Sequence, residues 1–139
     1  MLIDPKNLEL FVDFSQNIFG GKTYDFHNDF ICEEILYRSF SLSSKFVNTA
    51  ENLTVTLIFH NVSIEMMEIS TSSSEKVLTL DNLYRGRFEL DGELVEFSKN
   101  GKSYFYIEFL EGVKIELLCD SVELKQIIKD PVPDRETDN

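Results

Sequence analysis

The chain has no tryptophan, only two histidines and two cysteines, and few basic residues. Lys and Arg together number 13 against 25 Asp and Glu, which gives a formal net charge of −12. Nucleic-acid binding depends on basic side chains that displace counterions from phosphates, so this balance argues against a nucleic-acid ligand. It argues equally against an anionic membrane surface. Two interpretations remain: steered association with a basic protein, or excess acid that only keeps a small protein soluble.

The few histidines and cysteines are too far apart in the sequence for a metal site. They are His27, His60, Cys32 and Cys119. No nucleophile elbow, phosphate loop or dinucleotide fingerprint occurs either. The adjacent acids Glu33 and Glu34 would point to opposite faces of a strand rather than into one cleft. We therefore predict no catalytic residue, no metal and no cofactor, and a protein that is not an enzyme.

Long apolar runs are also missing. No run approaches the roughly 20 apolar residues that a membrane helix needs. The amino-terminal residues, MLIDPKNLEL, have neither the basic region nor the uninterrupted apolar stretch of a secretory signal. We expect a cytoplasmic protein with no membrane partner. In that compartment Cys32 and Cys119 are predicted to be reduced, buried thiols, with a disulfide between them as the alternative.

The sequence is rich in phenylalanine and contains several dipeptides that are typical of hairpin turns. Its 12 Phe residues add large apolar area without a polar atom, which suits a compact core. Between Leu83 and Cys119, four apolar-rich runs are separated by Asp91-Gly92, Asn100-Gly101 and Glu111-Gly112. Asp-Gly and Asn-Gly favour the positive φ angles of tight hairpin turns, and the Gly of Glu-Gly can do the same. The pattern predicts an antiparallel meander of four strands.

Capping signals favour a helix near the amino terminus. Asp4-Pro5 is typical of a helix start, because Asp accepts hydrogen bonds at the N-cap and Pro tolerates the first helical position. Apolar residues from Leu8 to Phe19 recur at helical spacing, and Gly20-Gly21 would end the helix. The alternative is a strand, in which Leu8, Leu10, Val12 and Phe14 would share one face.

Strand alternation continues through most of the remaining sequence. Further strands are predicted within residues 31–46, 53–60, 62–69 and 76–80. Ser121 to Lys129 is compatible with a short final helix or with one more strand. We predict a single α+β, mainly antiparallel β domain over residues 1–129. It would have roughly seven to eight strands in a curved sheet wrapped on the amino-terminal helix, or in a partly open or closed barrel. Residues 130–139 are predicted to be a disordered acidic tail.

Pleating assigns alternate residues of the meander to opposite faces. The outward face is predicted to carry Tyr104, Tyr106, Arg85, Arg87, Glu96, Glu108 and Glu116. Tyr and Arg are enriched at the centres of protein interfaces, while acidic residues provide complementarity at the rim. We therefore predict that these residues bind a protein partner. The alternative is an ordinary solvated sheet face with cross-strand ion pairs.

One stretch resembles a known family. Ile18-Phe19-Gly20 matches the Ile-Phe-Gly end of a front helix in bacterial immunity proteins of the immunity protein fifty type. Phe26-His27-Asn28-Asp29 is similar to the Phe-His-Asp-like motif that precedes the first strand in that family. The sequence departs from the family at Asn28, which separates the His from the Asp, and at Phe30, where the family has a small residue. Within this motif His27 is the best candidate for a polar role, with a structural, hydrogen-bonded histidine as the alternative.

The resemblance implies a function. It implies a cytosolic protein that binds and blocks a cognate toxin from a polymorphic or contact-dependent system, and such proteins are often acidic when their toxins are basic nucleases. We therefore expect an immunity or inhibitor protein that neutralises a basic toxin by protein–protein interaction. The alternatives are an acidic secretion chaperone that binds an effector, and a small β-barrel that binds an apolar ligand.

Overall fold

The computed structural model describes residues 1–9, 13–14, 16–19, 22–70, 77–86, 88–96 and 98–128. Within this part of the chain, the one helical element is a short 3-10 helix at Pro5–Asn7, and the rest is mainly strand. The strands are β1 (Leu2–Ile3), β2 (Gln16–Phe19), β3 (Lys22–Asp25), β4 (Ile31–Arg38), β5 (Ser41–Asn48), β6 (Leu53–His60), β7 (Ser63–Ile69), β8 (Leu80–Arg85), β9 (Phe88–Leu90), β10 (Glu93–Val95), β11 (Ser98–Lys99), β12 (Lys102–Phe109), β13 (Val113–Cys119) and β14 (Ser121–Ile128). Nowhere in the described ranges is there a helix with the length and apolarity to span a bilayer.

The strands form two five-stranded antiparallel sheets. The first sheet has the order β1-β14-β6-β5-β4. The second follows β11-β12-β13-β7, and β8 pairs with β12 as well. The hairpins β2-β3 and β9-β10 each form a separate two-stranded sheet. The prediction of a mainly antiparallel β protein is confirmed, and the described strands form two open sheets rather than a closed barrel.

The predicted amino-terminal helix is wrong. Asp4 caps only the 3-10 helix, where its side chain accepts a hydrogen bond from the N–H of Lys6 at 3.0 Å. Further along, β2 pairs with β3, and the N–H of Phe14 donates to the carbonyl oxygen of Leu83 at 2.5 Å. Aromatic and β-branched residues favour pleated surfaces over helices, so pairing with distant strands outweighs the local caps. Residues 10–12, 15 and 20–21 of the predicted helix lie outside the described residues.

At the other end of the described chain, the strand alternative is confirmed. Ser121–Ile128 pairs with β6 along its whole length. On its other side it pairs with β1, where Leu2 lies opposite Glu123, so β1 is the edge strand of the sheet. Val122 and Leu124 are buried on the inward side, which gives the apolar residues of this segment a pleated rather than a helical arrangement. The predicted tail, residues 130–139, lies outside the described residues.

The two sheets pack face to face over a phenylalanine-rich core. Phe59 of β6 and Phe105 of β12 meet across the layers with their ring centroids 5.4 Å apart, and Phe14 packs against Phe105 at 6.2 Å. Phe26 packs against Phe46 at 4.9 Å. These rings are almost fully buried, so the predicted use of phenylalanine as core is confirmed. The inward residues of the β12-β13 hairpin are Phe105, Ile107, Phe109, Ile115 and Leu117, as pleating predicted.

Both cysteines are free and buried, as the sequence predicted. Burial raises the pKa of the Cys32 thiol, and likewise that of Cys119, to about 12. The thiolate is the reactive form of cysteine, so at neutral pH both thiols stay in the protonated, less reactive form.

All three predicted turns lie between strands. Asp91-Gly92 joins β9 to β10, and Asn100-Gly101 joins β11 to β12. All four of these residues have a positive φ, between 50° and 79°, which is what a type I′ turn requires. Gly112 lies between β12 and β13, where an added Cβ would come within 2.5 Å of the Ser70 side chain. The predicted meander is wrong in its pairing: the first run divides into β8 and β9, and β8 pairs with β12, where the meander would place the second run.

Candidate functional site

The outward face of the second sheet collects tyrosines and acidic residues from three adjacent strands. Tyr106 of β12 pairs with Tyr84 of β8 on one side and with Glu116 of β13 on the other. Glu108, two residues further along β12, pairs with Asn82 of β8 on one side and with Lys114 of β13 on the other. Residues directly opposite each other on neighbouring strands share a face, so these side chains form one surface. We call it the tyrosine face: Tyr84, Tyr106, Glu108, Glu116, Asn82 and Lys114.

Glu108 organises the tyrosine face. Its Oε2 accepts a hydrogen bond from the hydroxyl of Tyr106 at 2.8 Å, and its Oε1 accepts one from Nδ2 of Asn82 at 3.0 Å. The Lys114 ammonium lies 3.4 Å from the same carboxylate. The Tyr106 ring stacks on Tyr84, with centroids 5.1 Å apart and 26° between the ring planes. The two rings are therefore held in one arrangement by stacking and by the hydrogen bond to Glu108.

The hydrogen bond from Tyr106 lowers the pKa of Glu108, assisted by Asn82 and Lys114. Burial, the hydrogen bond to Glu108 and the charge of that carboxylate raise the pKa of Tyr106. The pKa of Tyr84 is raised by burial and by the charges of Glu108 and Glu116. At neutral pH the face therefore presents the neutral phenols of Tyr84 and Tyr106 beside the charged carboxylate of Glu108.

We expect Glu108 to contribute stability at neutral pH that is lost in acid. Its folded-state pKa lies below the ordinary value of 4.5, so its contribution is present above 4.5 and disappears as the pH falls through the lower folded value. The difference in unfolding free energy between wild type and Glu108→Gln should therefore shrink from about pH 7 to about pH 3. Urea unfolding at a series of pH values measures it. Glu65→Gln, at an exposed position on β7, is the control, and equal pH slopes for the two variants would contradict the prediction.

Tyr104 lies on the outward side of β12, as predicted, but its ring is not accessible. Register places it opposite Leu118, and its hydroxyl donates to Oε1 of Glu116 at 2.5 Å. Only 1% of its surface is exposed. Tyr104 therefore helps to orient Glu116 on the tyrosine face and offers almost no contact area of its own.

The prediction that Arg85 faces outward is wrong. Arg85 pairs with Phe105, so its side chain points to the inner side of the sheet, and only 6% of its surface is exposed. There its guanidinium binds the carbonyl oxygen of Leu8 and the carboxylate of Glu96. Glu96 is accordingly engaged with Arg85 and does not belong to the tyrosine face. Arg87 lies outside the described residues.

Sequence reasoning missed Tyr84. It treated residues 83–90 as one strand, and the apolar Phe88 and Leu90 then placed Tyr84 on the inner face. In the structure β8 ends at Arg85, because Gly86 has a φ of 105° and donates its N–H to the carbonyl oxygen of Tyr104. Gly86 was the available signal, since a glycine inside a strand pattern often marks a break in alternation.

The histidines have structural hydrogen bonds. Nδ1 of His27 lies 2.5 Å from the carbonyl oxygen of Leu80, and since a carbonyl can only accept, Nδ1 carries the proton. The Asp25 carboxylate accepts from the N–H groups of His27 and Asn28, so the motif forms a compact turn. Nε2 of His60 lies 2.9 Å from Glu123. Within the described residues, no group of three or more His, Cys, Asp or Glu side chains could hold a metal ion.

An apolar groove lies between β4 of the first sheet and β7 of the second. Its volume is about 340 Å³, and its lining is mostly hydrophobic. A second, polar cleft of about 400 Å³ lies between the turn after β3 and the β5-β6 turn, lined by Asn28, Asp29 and Asn48 among others. The groove is large enough for a ligand, and it lies between two strand edges rather than inside a barrel.

Fold and site together define an antiparallel β-sandwich with one organised tyrosine-and-glutamate face. Comparison with protein-family models, with curated proteins and with solved structures found no match to the chain. The likeness to immunity proteins therefore depends on the motifs near Phe19 and His27 alone. Phe19 lies in β2, not at the end of a helix, which is a further departure from the family pattern.

Proposed function

We propose that this protein binds and blocks a basic protein partner, and that the tyrosine face is its contact surface. The observation that carries the proposal is the stacked Tyr84–Tyr106 pair, fixed by Glu108 at the centre of a sheet face. Tyrosines are frequent among the residues that dominate binding energy, and rings that are already held lose little entropy on binding. The flanking carboxylates favour a partner with Lys or Arg opposite them.

The sequence resemblance gives this proposal its particular form. The partner would be a cognate toxin domain, and the protein would act in the cytoplasm as its immunity protein, without catalysing a reaction itself. The net charge of −12 supports a basic partner, because opposite charges steer association and raise its rate. Binding should weaken as salt is added, since charges near the surface are screened.

The geometry favours this reading over the two alternatives. The secretion-chaperone alternative drew on helices at both ends of the chain, where the described residues form a 3-10 helix and the strand β14. The apolar-ligand alternative drew on a small β-barrel formed by an up-and-down meander, whereas the described strands form two open sheets and β8 pairs with β12.

We expect the partner to be lost when the tyrosine face is altered. Affinity capture with the tagged chain from its host cells should recover a basic protein. Tyr84→Ala and Tyr106→Ala should each weaken binding of that protein by about 10- to 30-fold, as interface tyrosines typically do. Calorimetric titration with the purified partner measures the effect, and co-expression measures whether toxicity is suppressed.

The matched control lies on the other sheet. Val47 and Ile58 are half-buried on strands β5 and β6 of the first sheet, so Val47→Ala with Ile58→Ala tests the effect of truncating two side chains on the other sheet. This double variant should bind the partner like wild type. The proposal fails if Tyr84→Ala with Tyr106→Ala binds as tightly as this control, with both variants shown to be folded by their thermal transitions.

A further inference from the structure

The apolar groove lies where the sandwich is open at one side. Its walls include large hydrophobic side chains from both edge strands, and its floor includes residues of the core. The wall residues that matter here are Ile35 and Tyr37 of β4, and Met67 and Ile69 of β7. Tyr37 is 46% exposed, Met67 44% and Ile69 60%. Three large apolar side chains exposed at one groove form a patch of the kind that marks a binding site.

The backbone of β4 is available beside the same groove. β4 pairs with β5 on one side. On its other side, pairing within the described residues is confined to Cys32 and Leu78, which exchange N–H···O bonds of 2.8 and 3.0 Å. At this bridge the backbone at Leu78 pairs with the edge of β4 in antiparallel orientation, as an added strand would.

A β-bulge between Cys32 and Glu34 shifts the alternation by one residue, so Ile35 and Tyr37 have the same backbone orientation as Cys32. The β4-β5 hairpin closes on the pair Arg38↔Ser41, next to its two-residue turn. Antiparallel ladders alternate, so Tyr37 and Ile35 direct their N–H and C=O groups away from β5. Tyr37 and Ile35 therefore supply two things at once: apolar side chains to the groove, and main-chain donors and acceptors to an incoming strand.

The charge at the groove is negative. Glu33 and Glu34 line it, next to the exposed edge. Glu33 has Lys45 as its ion-pair partner at 3.9 Å, with both side chains more than 40% exposed, so this pair is weak and easily exchanged. A Lys or Arg on an incoming strand would therefore be favoured beside Glu33 and Glu34.

We infer that the groove is a second binding site, separate from the tyrosine face, that takes an extended basic peptide segment as an added strand on β4. Alternate apolar side chains of the segment would enter the groove between Tyr37 and Ile69. Its main chain would pair with Ile35 and Tyr37, and its basic residues would lie beside Glu33 and Glu34. A small apolar ligand would fill the groove without using the strand edge, and that difference separates the two cases.

The first test uses synthetic peptides. A fluorescent peptide of about eight residues, alternating Ile with Lys, should bind the intact chain. The same peptide with methylated main-chain nitrogens at alternate positions keeps its side chains and loses the ladder donors. It should bind at least about tenfold more weakly. In the free protein, the amides of Ile35 and Tyr37 should exchange hydrogen quickly, and the first peptide should slow both.

The second test uses matched variants of the protein. Ile69→Ser should weaken peptide binding at least about fivefold, whereas Ile127→Ser on β14 should leave it unchanged. The two isoleucines are 60% and 62% exposed, so a general effect on folding would be equal in both. Glu33→Gln with Glu34→Gln should weaken binding and reduce its salt dependence. Tyr84→Ala should leave peptide binding unchanged, so this site and the tyrosine face can fail separately.

Four results would overturn the inference. The first is equal binding of the two peptides, which would mean that the strand edge is not used. The second is exchange at Ile35 and Tyr37 in the free protein as slow as in β5, which would mean that the edge is already covered. The third is a dimer in sedimentation that is lost on Ile69→Ser, which would make a second copy the occupant. The fourth is binding of a free fatty acid with no binding of either peptide.

Discussion

Replacing Phe105 by alanine should lower the free energy of unfolding by about 3–5 kcal/mol. Phe105 is fully buried and packs against Phe59 of the opposite sheet and against Phe14. Its strand, β12, is held by hydrogen bonds on both sides, so the surroundings cannot easily collapse into the space that the ring leaves. Urea-induced unfolding of the two proteins measures the loss.

Phe40→Ala is the control for this experiment. Phe40 lies at the tip of the β4-β5 hairpin and is 68% exposed, so removing its ring should change stability by no more than about 1 kcal/mol. Phe105→Leu should fall between the two, because leucine refills part of the cavity. If Phe105→Ala costs no more than Phe40→Ala, the two sheets do not meet at Phe105 as described.

Replacing Arg85 by alanine should cost about 3 kcal/mol. The buried guanidinium binds the carbonyl oxygen of Leu8 and the carboxylate of Glu96, whose side chain is only 30% exposed. The alanine variant would leave both acceptors without their donor in a region of low dielectric. Thermal and urea unfolding should show the loss at neutral pH.

A double variant distinguishes this mechanism from simple loss of volume. A buried ion pair replaced by apolar residues of similar size is often neutral, so Arg85→Met with Glu96→Leu should recover most of the loss. Nε of Arg85 is buried without a hydrogen-bond partner in the described structure, which makes this ion pair costly to keep. If the double variant is as unstable as Arg85→Ala, the contact to Leu8 rather than the ion pair holds this region together.

The predictable parts of the fold are those that local chemistry determines. Asp91-Gly92 and Asn100-Gly101 form turns because these dipeptides adopt positive φ at little cost. The inward side of the β12-β13 hairpin follows from alternation once its turn is known. Tyr106, Glu108 and Glu116 lie on one face for the same reason, since a hairpin register is fixed by its turn.

The parts that could not be predicted depend on contacts between distant residues. The turn at Ser39 and Phe40 has φ angles of 52° and 63°, a conformation that a bulky residue such as Phe rarely adopts. The pairing of β4 with β5 imposes this turn conformation, and no local sequence pattern predicts it. Asp4 and Pro5 do begin a helix, but it is only a short 3-10 helix. In the segment that follows, Phe14 hydrogen-bonds to Leu83 and β2 pairs with β3 instead of continuing the helix.

The same limit applies to the candidate site. Alternation along one strand cannot say which side faces solvent when the partner strand is far away in sequence. The pairing of β8 with β12 puts Tyr84 outward and Arg85 inward, the reverse of the sequence prediction. Burial of Tyr104 likewise comes from the tertiary structure, because its neighbour Tyr106 on the same side of β12 remains partly exposed.

Fluorotyrosine NMR tests the central claim most directly, because the chain has five tyrosines in distinct settings. When the captured basic partner is added, the signals of Tyr84 and Tyr106 should shift, while that of the buried Tyr24, which lies away from the tyrosine face, should move little. Tyr37 reports separately on the groove. A complex that leaves the Tyr84 and Tyr106 signals in place would show that the partner binds elsewhere and would contradict the account.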